Sequence, residues 1–260
     1  MAKFSSAEIS IAAGGGRLFA AIERAPADSK FFLLAGQHDG GFCLDRSVSF
    51  RGEPGTVILA PPGAAALRIE DDGVAFHADN LVFLGGVNSD GGGLCLRGRG
   101  SVRLRDCLFA ANRARRKGGA IFASSGMITL ERCVFSSNSA AIAGAVALDG
   151  TVVADLSRCQ FRDNRASSGG SVVVSDAAQV AFKMCIWSGN GSPDGGDVLL
   201  VSGSASRAPV VSLQFCDIDA GDLLSGPQFG GAIGIGNSRI PSGWRGGPFE
   251  DRGGNSYDKN

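Results

Sequence analysis

Apolar residues in this chain come in pairs two positions apart, separated by Gly, Asn and Ser, and the pairs recur at a fixed interval. Cys107, Cys133, Cys159 and Cys185 stand 26 residues apart. Two places after each comes a large ring, Phe109, Phe135, Phe161 and Trp187, and five places after each comes Asn112, Asn138, Asn164 or Asn190. Leu104, Leu130, Leu156 and Phe182 lie three places before the cysteines. Eleven places after them lie Gly118, Gly144, Gly170 and Gly196, followed by the columns Ala120, Val146, Val172, Val198 and Phe122, Leu148, Val174, Leu200. Many columns sharing one period define a repeat architecture, in which one turn cannot bury its apolar face until neighbours stack on it.

The spacing inside one unit selects the kind of repeat. Apolar positions two apart are strand periodicity, and the β-branched residues and glycines between them suit no helical repeat. The pattern predicts an all-β chain forming a right-handed parallel β-helix, with three short strands per coil of about 26 residues and coils about 4.8 Å apart. Asn and Gly both accept a left-handed backbone, and the flanking coils carry Gly86 and Gly221 at the Asn position, so that column is expected to mark a positive-φ turn.

The ends depart from the period. Residues 17–25 place Leu18, Phe19 and Ile22 on one helical stripe between three glycines and Pro26, predicting a short amphipathic helix that caps the open end of the coil. The expected division is an N-terminal strand and capping helix at 1–36, the β-helix at 37–237 and a Gly/Arg-rich tail at 238–260, either disordered or laid along the helix. Coils before Leu81 are irregular. The interval from Cys185 to Cys216 is 31 residues, and the extra five fall in SGSASRAP, a loop expected to bulge as a contact surface.

Composition adds three constraints. Twenty-five basic and 25 acidic groups give no global pull toward nucleic acid or membrane, so any electrostatic partner must be met locally. The seven cysteines include a stacked inward column. Parallel in-register side chains lack the torsion a disulfide needs, and no CxxC pair suggests zinc, so a reduced core ladder is expected. With no apolar run long enough to span a membrane and no leader pattern, the expected location is cytoplasmic or another intracellular compartment, or the cell surface if a signal was removed.

Chemistry is sparse. The outward columns Asp79, Arg105, Glu131, Ser157, Lys183 and His77, Arg103, Thr129, Asp155, Ala181 alternate in sign between coils, which avoids like-charge repulsion. Glu131 and Asp155, offset by one coil and two residues or about 8 Å, are the candidate pair for calcium or general acid/base work. The competing reading makes them solvated carboxylates beside Arg105 and Arg103, with Arg105 paired to Glu131. Only His38 and His77 are present, no Ser/His/Asp triad is suggested, and no cofactor or metal set is expected. One basic cluster stands out: Arg97, Arg99, Arg113, Arg115, Arg116 and Lys117 are the candidate binding residues, half of the local cations being placed in turns. An acidic protein or an anionic glycan fits them better than nucleic acid, which calls for interleaved exposed aromatics. Asn190-Gly-Ser matches a glycosylation acceptor, but its asparagine belongs to the inward column.

The motif FxxN followed by GGAI, at residues 109–112 and 118–121, resembles the repeat of polymorphic outer membrane proteins, which implies a β-helical adhesin; FSSN with GAVA and FRDN with GGSV are looser copies within residues 81–200. The N-terminal stretches LFAAIERAP, FFLLAGQHDGGF, RSVSFRGE and TVILAP are similar to the opening of pectin-lyase-like β-helices. That resemblance implies polysaccharide lyases, epimerases or non-catalytic recognition modules. The expected function is a non-catalytic binding or scaffold module, the alternatives being a lyase or epimerase and a structural subunit of a larger assembly.

Overall fold

Alternation with period two puts every second side chain of a strand on one face, and when successive strands turn the same way those faces close on one another. The computed structural model describes residues 8–191, 199–202, 208–219, 224–225, 232–240 and 249–257, and there the chain winds as a parallel β-helix. A long sheet of eleven strands runs from Ile9–Ile11 to Glu250–Asp251, a ring sheet of ten from Gly36–Asp39 to Ser256–Tyr257, and a third sheet of eight from Phe42–Leu44 to Leu224–Ser225 among the described residues. One representative coil is Ser101–Arg105, Leu108–Ala110, Arg113–Lys117 and Ile121–Ala123. Its extra member belongs to a short fourth sheet of Val87–Asp90, Arg113–Lys117, Ser139–Ile142 and Arg165–Ser168, lying between the ring sheet and the third sheet. The sheets pass the positions 37 and 237: Ser29–Leu33 opens the long sheet beside Ile9–Ile11, and Arg239–Ile240 pairs with strands on both sides.

The period is realised as ladders. Phe83, Phe109, Phe135, Phe161 and Trp187 stack face to face, with centroids 4.7 to 5.3 Å apart and planes within 17°. Cys107, Cys133, Cys159, Cys185 and Cys216 are buried free thiols, each contacting a carbonyl of the coil before it, such as Leu104 O at 3.6 Å from Cys133 Sγ. The Cys133 thiol beside it and burial push Cys107 well above the ordinary thiol range. The asparagines form a third ladder. Asn138 Nδ2 donates to Phe109 O at 3.0 Å and to Asn164 Oδ1 at 2.9 Å, while Asn138 Oδ1 accepts from Asn112 N at 3.0 Å. Asn164 and Asn190 repeat the arrangement.

Two expectations need correction. The Asn column is not the positive-φ position; the residue before it is, at Gly85, Ala111, Ser137, Asp163 and Gly189. Asn is needed there for its amide, which satisfies buried backbone groups that no strand partner reaches. Second, the glycine and apolar columns slip by one in the coil of Cys107, and the apolar columns slip again in the coil of Cys185, where Val172 pairs with Leu199 and Val174 with Val201. Arg113–Lys117 bulges, so Gly119 rather than Gly118 stacks on Gly144, and Phe122 pairs with Ala147 rather than Leu148. A Cβ on Gly119 stands 2.1 Å from Gly144 O, which explains the glycine. Phe122 therefore leaves the tube and packs outside the third sheet with Cys95, Ala147 and Val173.

Between the long and ring sheets the chain turns through a left-handed residue in each coil: Asn80, Asp106, Arg132, Arg158, Met184, Phe215 and Asn237 have φ of 50° to 56°. Each costs about 1 to 2 kcal/mol of backbone strain, which the flanking parallel ladders offset. The predicted helix is α1, Arg17–Arg24; Leu18 and Ile22 enter the core shared with Phe31 and Phe42, while Phe19 stays half exposed against the Phe42 ring at 6.0 Å.

Candidate functional site

The basic cluster forms on the short sheet because the bulge lengthens Arg113–Lys117 into a strand with Ala114 buried and its arginines outward. These cations lie in a strand, which corrects their placement in turns. Two buried carboxylates sort them. Asp90 receives Arg97 Nη2 at 2.6 Å on Oδ2, with Arg116 Nε at 3.7 Å from Oδ1 and the Lys117 N–H donating to Oδ1 at 3.2 Å. The Arg97 guanidinium also lies over the Phe122 ring at 5.2 Å. Asp149 takes the Lys117 ammonium and the Ser175 hydroxyl. Arg97, Arg116 and Lys117 are thus internally neutralised, and the Arg99 backbone N–H bonds Asp72 Oδ1 at 2.7 Å.

Among the described residues Arg113 and Arg115 carry no ion pair. They wall a cleft of about 560 Å³ whose floor is Ser139, Ala140 and Ala141, with Val87 and Ser167 at its edges. The register explains the hollow: Val87, Arg113, Ser139 and Arg165 stand on successive rungs, so a row of small side chains lies between two rows bearing arginine. Sequence reading found the arginines but not the carboxylates that sort them. Asp90 lies outside the basic run and Asp149 lies 32 residues beyond Lys117, so neither is its neighbour along the chain.

The long sheet carries the other candidates. Its outward columns have the expected register, with Asp79, Arg105, Glu131, Ser157 and Lys183 on consecutive rungs. The ion pairs differ from expectation: Arg105 Nε bonds Asp79 Oδ1 at 2.9 Å, and Glu131 is held by its neighbour Arg132. Arg132 also bonds both oxygens of Asp106 at 2.7 and 2.9 Å, and these hydrogen bonds hold the Asp106 carboxyl below the usual carboxylate range. Glu131 lines a cleft of about 350 Å³ with His77, Asp79, Arg103 and Thr129. Asp155 lines different hollows beside Lys183 and Ser212, so the two carboxylates are not brought into one cleft.

Among the described residues no group of three His, Cys, Asp or Glu side chains is placed to hold a metal ion. No helix there is long and apolar enough to cross a membrane. Asn190 is buried in its ladder. Most of the SGSASRAP loop, residues 203–207, lies outside the described residues.

Two comparisons bear on what this geometry belongs to. No curated protein matches the sequence. The family described as "right handed beta helix region" matches residues 63–215, a span that includes strands of all four sheets and both clefts, and the chain belongs to that family.

Proposed function

We propose that this β-helix is a non-catalytic binding module whose ligand, an anionic glycan or an acidic protein segment, lies along the short sheet. The observation that supports this reading is the cleft of about 560 Å³ with two unpaired arginines on its wall, beside three cations already neutralised. Buried Asp90 and Asp149 hold Arg97, Arg116 and Lys117, which leaves Arg113 and Arg115 as the cleft's available donors. The two guanidiniums suit carboxylates or sulfates, which they grip through paired N–H donors.

Titration of the full chain with polygalacturonate and with poly-glutamate, followed by calorimetry at several salt concentrations, tests the reading. Arg113→Ser/Arg115→Ser is expected to weaken binding about tenfold or more, because each charge-assisted pair contributes about 1.5 to 3 kcal/mol. It is also expected to flatten the salt dependence. Unchanged binding by that variant removes the cleft from the account.

The long-sheet cleft supports a second reading, a polysaccharide lyase or epimerase of the pectin-lyase-like kind. It holds His77 on the rung of Asp79, Glu131 two rungs on, and Arg103 on the rung between them. Growth of ultraviolet absorbance from an unsaturated product during incubation with polygalacturonate and calcium favours that reading over simple binding.

A further inference from the structure

The corner between the long sheet and the ring sheet changes character in two coils. Its left-handed residue is polar or charged at Asn80, Asp106, Arg132, Arg158 and Asn237, but is Met184 and then Phe215 in consecutive coils. Small polar side chains ease a left-handed backbone by local hydrogen bonding, which Met and Phe cannot do. Burial does not compensate these two either: Phe215 is 52% exposed and Met184 40%, and Ile186, two places after Met184, is 41% exposed. The Met184 N–H donates to Gln214 O at 2.9 Å, so Met184 and Phe215 occupy neighbouring rungs and form one ridge.

Among the described residues the charge beside the ridge is net positive. Arg158 stands one rung before Met184 and Lys183 precedes it in the chain; among the described residues neither has an ion-pair partner. The nearest carboxylate on the ring-sheet side, Asp217, is taken by Arg239, and Asp155 lines a hollow with Lys183 but forms no ion pair with it, so the two cations outnumber the one open carboxylate. Three exposed side chains are far too few for a stable protein dimer, which buries roughly 800 Å² per partner. A fluid bilayer closes around such a ridge, and anionic headgroups match the cations beside it.

The geometry points to a peripheral docking site for an anionic lipid surface, with Met184, Ile186 and Phe215 entering the interface and Arg158 and Lys183 at headgroup level. This site is separate from the arginine cleft on the short sheet.

Co-sedimentation of the full chain with vesicles tests it, using phosphatidylcholine alone and phosphatidylcholine with about a third phosphatidylserine. Wild type is expected to pellet with the serine-containing vesicles and to partition about tenfold less onto the neutral ones. Met184→Ser/Phe215→Ser is expected to lose about tenfold of the partition, and Arg158→Gln/Lys183→Gln a smaller part, confined to the anionic vesicles. Because the replaced side chains are exposed, the variants are expected to melt as wild type does, and the cleft variant Arg113→Ser/Arg115→Ser to bind vesicles normally. No pelleting of wild type with anionic vesicles overturns the assignment, as does equal pelleting by Met184→Ser/Phe215→Ser. Capture of soluble poly-glutamate that is lost in the same variant overturns the lipid in favour of an acidic protein partner.

Discussion

Phe83, Phe109, Phe135, Phe161 and Trp187 stack face to face through the middle coils, whereas Phe31, Phe50 and Phe76 in the first coils meet edge to face at 85°. The difference follows from coil length. In the middle coils the ring strand repeats every 26 residues, so the same atom recurs on every rung and ring can lie on ring, amide on amide. In the first coils Phe31 pairs with Phe50 after 19 residues, and Phe50 then pairs with Ala78 after 28. Phe31 and Phe50 share a column while Phe76 stands on the rung of Val48, two places off it, and the interior is filled by edge contacts with Leu18 and Ile22 of α1 packed against them. A tube of this kind needs apolar volume on its inner face. It needs a strict period only where ladders run through it.

The comparison is most exposed to a break at the rings. Phe135→Ala removes a ring sandwiched between two others and is expected to cost about 3 to 5 kcal/mol in chemical denaturation, while Ser136→Ala stays within about 0.5 kcal/mol. Equal effects contradict the inward register. Next comes the amide ladder, which the first coils lack at this position. Asn138→Ala leaves the buried Asn112 backbone N–H without its acceptor and removes the amide bonds to Asn112 Nδ2 and Phe109 O, and is expected to cost about 2 to 3 kcal/mol. A near-neutral result means that water replaces the amide, and the ladder is then dispensable.

The same contrast explains what could be read along the chain. The thiol, ring and amide columns were legible because each keeps its 26-residue spacing from Cys107 to Cys185. Phe122 was misplaced because the register slips at the Arg113–Lys117 bulge, where one extra residue reverses the face of everything after it until the next coil restores it. The left-handed residues escaped notice because Ala111, Ser137, Arg132 and Phe215 are not residue types that announce such a backbone. At the surface, the basic run was plain. Its division into neutralised and unpaired members depends on Asp90 and Asp149, whose contacts are made across rungs. The hollow itself comes from small residues at 139–141 lying between arginine-bearing rungs.

The interior is held by its own ladders, and the proposed binding falls to Arg113 and Arg115 of the short sheet. Hydrogen exchange with and without polygalacturonate tests it directly. The account expects new protection in Arg113–Lys117 and Ser139–Ile142, with Ser101–Arg105 and Met127–Glu131 unchanged. Protection confined to those two long-sheet strands contradicts it and moves the site to the His77 and Glu131 cleft.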